Sequence, residues 1–297
     1  MYNPINGIVK IFNNVVMIKG GLPLHHGFIL TDYPETKIYT IPRFTQTGLV
    51  AHGFTTRLGG RGKAPYDTLN LAFHVGDAPD TVIANRQVVC RTLGAHMENL
   101  VSAQQVHGTN IRIVSADDAG KGAFTYNTAI PDTDGLITNL PELLLATFYA
   151  DCVPIFILDP VHKVIGSVHA GWKGTVGRIG ALAIDKMRAA FGSNPRDCLV
   201  GIGPSIGPRC YEVDDPVIAR FQDEFGQHDQ ILESSSNGRA KLNLWQANRQ
   251  IMAEAGILPQ NIELANICTC CNPDTLFSYR GEKGTTGRMG AFIIFKP

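Results

Sequence analysis

A mixed α/β (α+β) fold follows from three features of the sequence. From Leu49 onward, apolar runs of strand length alternate with longer segments whose apolar residues recur at helical spacing. Gly-rich turns stand at almost every junction between them. The chain can also bury a large core, since 44% of its 297 residues are apolar.

Taken in order, residues 1–44 contain the short alternating runs GIVKIF and NVVMIK, separated by Gly, Pro and Asn clusters. They read as edge strands and turns, forming a variable N-terminal segment beside a main unit of residues 45–297. The clearest strand signal is ELLLATFYADCVPIFILD, where two apolar runs meet at Ala150, Asp151 and Cys152. Pro154 is expected to mark a break or bulge at that junction. VIGSVHAGW follows as another buried strand ending in small residues. GRIGALAIDKMRAAFG predicts a helix with Ile179, Leu182, Ala183 and Met187 on its apolar face, and LWQANRQIMAEAGI predicts one closed by Gly256. No internal repeat, low-complexity linker or composition break divides residues 45–297, which are expected to form a single domain.

Lys plus Arg and Asp plus Glu both number 26, so the net field gives no reason to expect nucleic acid or an anionic membrane as partner. The first residues lack the pattern of a secretory signal, and no stretch approaches about 18 uninterrupted apolar residues. Seven Cys is an odd and sparse set for this length, which argues for reduced thiols and a cytoplasmic protein.

Three metal-competent residues fall at strand ends or turns: His107 in QQVHGTN, Cys152 in YADCVP and His169 in SVHAGWKG. Their spacing is too long for a zinc finger or knuckle but natural for neighbouring strands whose ends share one mouth. A set of two His and one Cys suits a catalytic zinc, which commonly keeps its fourth position open. The same residues also fit a metal-free site with Cys152 as thiolate nucleophile and His107 or His169 as its base, and spacing does not separate the two. CTCCN, with Cys268, Cys270 and Cys271, lacks a second CxxC or a His pair at finger spacing and reads as structural.

Gly-rich loops with a cation suggest an anionic or sugar-bearing ligand: Arg57 in HGFTTRLGGRG, Arg280 and Arg288 in SYRGEKGTTGRMG, and Lys173 in HAGWKGT. GIGPSIGPRCYEV is a further such loop. Asp151 and Asp134 are candidates for acid or base work or for orienting a His ligand, and equally for capping a turn or strand end.

These motifs together resemble the YfiH-type laccase-domain family, also called the multicopper polyphenol oxidase family, peptidoglycan editing factors or purine nucleoside phosphorylases. The resemblance runs from about His52 to Phe295. It rests on HGFTTRLGG, LNLAFHVGD with VIANR, QQVHGTN, DTDGLITN, ADCVPIFILD, VHAGWKGT, GIGPSIGPRCYEV, LNLWQANR and CTCCNPDTLFSYRGEKGTTGR. The departure is Cys271, which stands where an aromatic or polar residue is expected.

The resemblance implies a single layered α-β-β-α domain of the cysteine-hydrolase type and a metal held by His107, Cys152 and His169. That metal would be Zn2+, with Cu2+ as the alternative. It implies phosphorolysis of adenosine, inosine and S-methyl-5'-thioadenosine, with adenosine deamination as a second activity. On that reading Cys152, Asp151, His107 and His169 are the catalytic residues, while Arg57, Lys173, Arg280 and Arg288 hold phosphate and substrate. The partners are then purine nucleosides and phosphate, with no nucleic acid and no membrane. Copper-dependent polyphenol oxidation and hydrolysis of a peptidoglycan precursor by Cys152 are the alternatives that the family names carry.

Overall fold

The computed structural model describes residues 15–16, 24–25, 27–226, 228–235 and 238–297. GIVKIF lies outside the described residues. Of NVVMIK only β1 (Val15–Val16) is described, paired antiparallel with β2 (Leu24–His25). Next come β3 (Ile29–Asp32), β4 (Lys37–Thr40), α1 (Pro42–Thr47), β5 (Val50–Thr55), α2 (Pro79–Leu93), β6 (Leu100–Ser102), β7 (Ile111–Ile113), β8 (Gly135–Thr138) and β9 (Leu144–Tyr149). The chain continues through β10 (Val153–Asp159), β11 (Val164–Ala170), α3 (Trp172–Val176), α4 (Ile179–Phe191), β12 (Leu199–Ile202), β13 (Glu212–Val213) and α5 (Asp215–Phe225). It ends with β14 (Leu232–Ser234), β15 (Ala240–Leu242), α6 (Leu244–Glu254), β16 (Ile262–Leu264) and β17 (Met289–Phe295).

Two six-stranded sheets form the middle of the molecule, in the orders β16-β12-β10-β11-β8-β7 and β3-β4-β5-β17-β9-β6. The period of two along each strand explains how both faces are covered. In β10, Phe156 and Leu158 point between the sheets, whereas Val153, Ile155 and Ile157 face α4 and α6. In β9, Leu145 and Tyr149 point between the sheets, whereas Leu144, Ala146 and Phe148 face α2. The result is four layers, α/β/β/α. A small sheet, β13-β15-β14, packs beside α5 at one end.

Two expectations need correction. Pro154 is not the break: it is the second residue of β10 and pairs with His169 of β11. The break is the turn at residues 150–152, where the chain leaves one sheet for the other. Leu182 is 41% exposed, and Ile184 occupies the buried face of α4 instead. Gly256 closes α6 as anticipated, and Gly192 does the same after α4, both at positive φ.

α2 carries a buried arginine that shapes the pocket from behind. Arg86 donates to the carbonyls of Leu71, Gly122 and Ala123 and lies between the rings of Phe73 and Phe148. These bonds and ring faces compensate the cost of burying its charge.

Candidate metal centre and pocket

The donors come from three segments that meet at the seam between the sheets. His107 sits in the loop after β6, Cys152 in the turn between β9 and β10, and His169 near the end of β11. One ligand atom from each lies within 4.8 Å of the other two. The two imidazole rings are 4.9 Å apart and steeply inclined to each other. His107 is exposed at the mouth, Cys152 half-buried and His169 buried.

Asp134, buried at the start of β8, organises this geometry. His107 has φ of 61°, a left-handed conformation that costs a non-glycine residue about 1–3 kcal/mol. Oδ1 of Asp134 accepts the His107 N–H at 3.0 Å, and Oδ2 accepts those of Gly108 at 2.7 Å and Val106 at 3.2 Å. The same Oδ1 accepts Nδ1–H of His169 at 2.8 Å. With Nδ1 committed, Nε2 is the nitrogen left for coordination, the usual carboxylate–histidine arrangement at metal sites. Burial opposes the Asp134 charge, but the His169 ring and these N–H groups hold its carboxyl below the ordinary range.

Asp151 works on the other side. Its φ is 87°, and its carboxylate accepts Thr269 Oγ1–H at 2.6 Å, Ser278 Oγ–H at 2.7 Å and the Arg280 N–H at 2.7 Å. It therefore ties the C-terminal loops to the turn that carries Cys152. Gly171 supplies the remaining space: a Cβ there would stand 2.9 Å from Cδ2 of His107 and 3.2 Å from Sγ of Cys152.

Burial disfavours a Cys152 thiolate, yet the imidazoles of His169 and His107 overcome it and bring the thiol down to about 6. Burial likewise disfavours charge on His169, but the thiolate and Asp134 raise it to about 9. Each of the two groups thus favours the charged form of the other. A mixed N/S set of three, with an oriented imidazole and a readily ionised thiol, fits zinc or copper.

The donors floor a pocket of about 520 Å³, whose walls include His74, Phe148, Tyr211, Tyr279, Arg280 and Arg288. Two of the four anticipated cations are therefore here. The Arg280 guanidinium lies over the Tyr211 ring and that of Arg288 over Tyr279. Arg57 is elsewhere: buried, it donates to the carbonyls of Asp67 and Pro273, pairs with Glu282 at 3.0 Å and stacks on Phe277. Lys173 is exposed on α3 beside Trp172 and does not line the pocket.

Sequence reasoning missed the aromatic walls and His74. They lie within LNLAFHVGD, ELLLATFYADC, RCYEV and FSYRG, whose Gly, Arg and apolar residues drew attention first. An aromatic residue bound for a pocket looks, in sequence, like one bound for the core. His74 is held down at about 4 by burial and by the guanidinium groups of Arg288 and Arg86, so it is neutral at pH 7.

Fold and site together define a four-layer α/β/β/α protein with a metal-competent pocket at the seam of its sheets. Residues 51–296 match the family described as multi-copper polyphenol oxidoreductase laccase, and the chain belongs to that family. It is 36% identical over 273 residues to "Purine nucleoside phosphorylase YlmD" of Bacillus subtilis (strain 168), covering 92% of this chain and 98% of that one. It is 30% identical over 243 residues to "Adenosine deaminase RL5" from an unknown prokaryotic organism, covering 82% and 92%. The crystal structure of the Bacillus licheniformis hypothetical protein YfiH superposes with a TM-score of 0.86 at 40% identity, covering 90% of this chain and 99% of that one. Among the described residues, no helix is long and apolar enough to cross a membrane.

Proposed function

We propose that the pocket is the active site of a zinc-dependent purine nucleoside phosphorylase acting on adenosine, inosine and S-methyl-5'-thioadenosine, with adenosine deamination as a side activity. One observation carries the reading: the His107, Cys152 and His169 donors, two guanidinium groups and aromatic walls surround a single space of about 520 Å³, a size suited to a nucleoside. The names of the relatives supply the reaction class.

Zinc held by His107, Cys152 and His169 would supply Lewis-acid stabilisation of developing negative charge. The chain's own groups do the rest. Arg280 and Arg288 hold phosphate by charge-assisted hydrogen bonds beside the ribose. Tyr211 and Tyr279 flank the purine and exclude water from it. Neutral His74 exchanges a hydrogen bond with a ring nitrogen without competing as a cation for the phosphate. Asp134 keeps His169 in one tautomer throughout, and Asp151 keeps the Arg280 backbone in place.

The first test is product analysis of purified protein of known zinc content, incubated with adenosine or inosine, with and without phosphate. Phosphate-dependent release of adenine or hypoxanthine with ribose 1-phosphate supports the proposal. Full zinc occupancy with no purine product overturns it.

A second reading rests on the thiol at about 6: Cys152 as nucleophile with His169 as proton carrier, in the manner of a metal-free hydrolase. Activity that survives metal removal and is lost on alkylation of Cys152 favours it. Activity restored only by zinc refutes it.

A further inference from the structure

We propose that Cys210, Cys268 and Cys271 form a second metal site, separate from the first, for a soft d10 cation such as Zn2+ or Cu+. The three thiols come from two loops. One sulfur from each lies within 4.8 Å of the other two, and Cys210 and Cys271, separated by 61 residues in sequence, bring their sulfurs to 3.3 Å. The CTCCN run alone lacked a partner at finger spacing; the fold supplies it through Cys210.

Three features favour a cation over other uses of these thiols. All three cysteines are free, and a disulfide would use two sulfurs and strand the third, whereas a convergent trio matches the donor count of an open zinc site or a trigonal Cu+ site. Cys268 Sγ already accepts the Gly207 N–H at 3.1 Å, the kind of hydrogen bond that supports a metal-bound thiolate. That approach depends on glycine, because a Cβ at Gly207 would lie 3.0 Å from Cys268 Cβ and 3.2 Å from its Sγ. Finally, a nucleophilic thiol needs a base, and the adjoining pocket of about 420 Å³ is lined by Arg209, Trp245 and Asn272 among others, with no His or carboxylate among the described residues.

An ion there would staple two loops that both serve the first pocket. The loop before β13 carries Ile206 and Tyr211, and the segment after Cys271 carries Tyr279 and Arg280. Arg280 Nη1 already reaches back to the carbonyls of Cys210 and Glu212. The role assigned is therefore to hold these two loops together.

The test uses the full chain, purified under a non-thiol reductant, saturated with Zn2+ and desalted, with zinc and protein quantified. Wild type should hold two equivalents and Cys271→Ser one. His107→Ala/Cys152→Ala should hold one, and the triple variant none. Cys271 is exposed, so its serine variant should fold, and circular dichroism checks this. Co2+ in the His107→Ala/Cys152→Ala variant should give a sulfur-to-cobalt charge-transfer band that Cys271→Ser abolishes. A folded His107→Ala/Cys152→Ala chain with no zinc overturns the proposal, as does an unchanged zinc count in Cys271→Ser. Recovery of a Cys210–Cys271 disulfide from the reduced preparation overturns it as well.

Discussion

Asp134→Asn tests the central argument about the metal centre. The carboxylate receives four N–H donors, two at each oxygen: His107 and His169 at Oδ1, Val106 and Gly108 at Oδ2. An amide has one oxygen and one NH2 group, so either orientation turns a donor toward two donors. If the oxygen replaces Oδ1, the Val106 and Gly108 N–H groups lose their acceptor and the His107 turn loosens. If it replaces Oδ2, His169 must accept at Nδ1, which moves its proton to Nε2 and removes the lone pair a metal needs. The first orientation leaves two donors unsatisfied and predicts a loss of about 2–6 kcal/mol in stability, and the second leaves one, the His107 N–H, at about 1–3 kcal/mol. Loss of the orienting partner in the second orientation predicts about 10- to 100-fold weaker zinc binding. Chelator competition gives the affinity and urea denaturation the stability. A folded Asn variant that both binds zinc within about threefold of wild type and keeps wild-type stability would refute the argument, because each orientation costs one or the other.

The remaining predictions address separate features. Gly171→Ala keeps an ordinary backbone, φ −68°, but its Cβ presses on two donors, so zinc affinity should fall about tenfold or more while the melting temperature changes little; unchanged affinity would count against the close approach. Arg288→Met should raise the KM for phosphate about 10- to 100-fold, the worth of a charge-assisted hydrogen bond. Arg57→Met should leave that KM alone and cost about 2–4 kcal/mol of stability; the opposite outcome would move the anion site to Arg57. His52 is buried and neutral, its Nε2 accepting the Ile41 N–H at 2.8 Å, and burial holds it down at about 4. Because the unfolded chain titrates near about 6.5, its contribution is full above that pH and is lost as pH falls toward 4, about 3 kcal/mol in all. Urea titrations between pH 7 and 4.5 should show that loss in wild type and a flatter profile in His52→Gln.

The sequence made the donors visible because His and Cys are conspicuous beside strand ends. His107, Cys152 and His169 meet as that placement suggested, and Asp134 holds a His as one of its anticipated roles allowed. What stayed hidden depends on three dimensions. ELLLATFYADCVPIFILD is apolar on both sides of its polar centre, so nothing local reveals that β9 and β10 belong to different sheets. The positive φ of His107 and Asp151 is imposed by distant hydrogen bonds, not by glycine. Arg57 and Arg280 stand in similar Gly-rich runs, yet Glu282 and two carbonyls draw one into the scaffold while the other reaches the pocket. Leu182 fits the helical spacing, but α4 is rotated so that Ile184 takes the buried place.

One stretch of chain gives a strand to each sheet, and its crossing turn carries Cys152. A break in the chain at that turn would therefore part the two sheets at the point where one of the three donors sits. The loops around residues 74, 205–211 and 265–288 frame the opening above those strands. The donors are thus set by where the strands end, and most of the opening's rim by the loops above them.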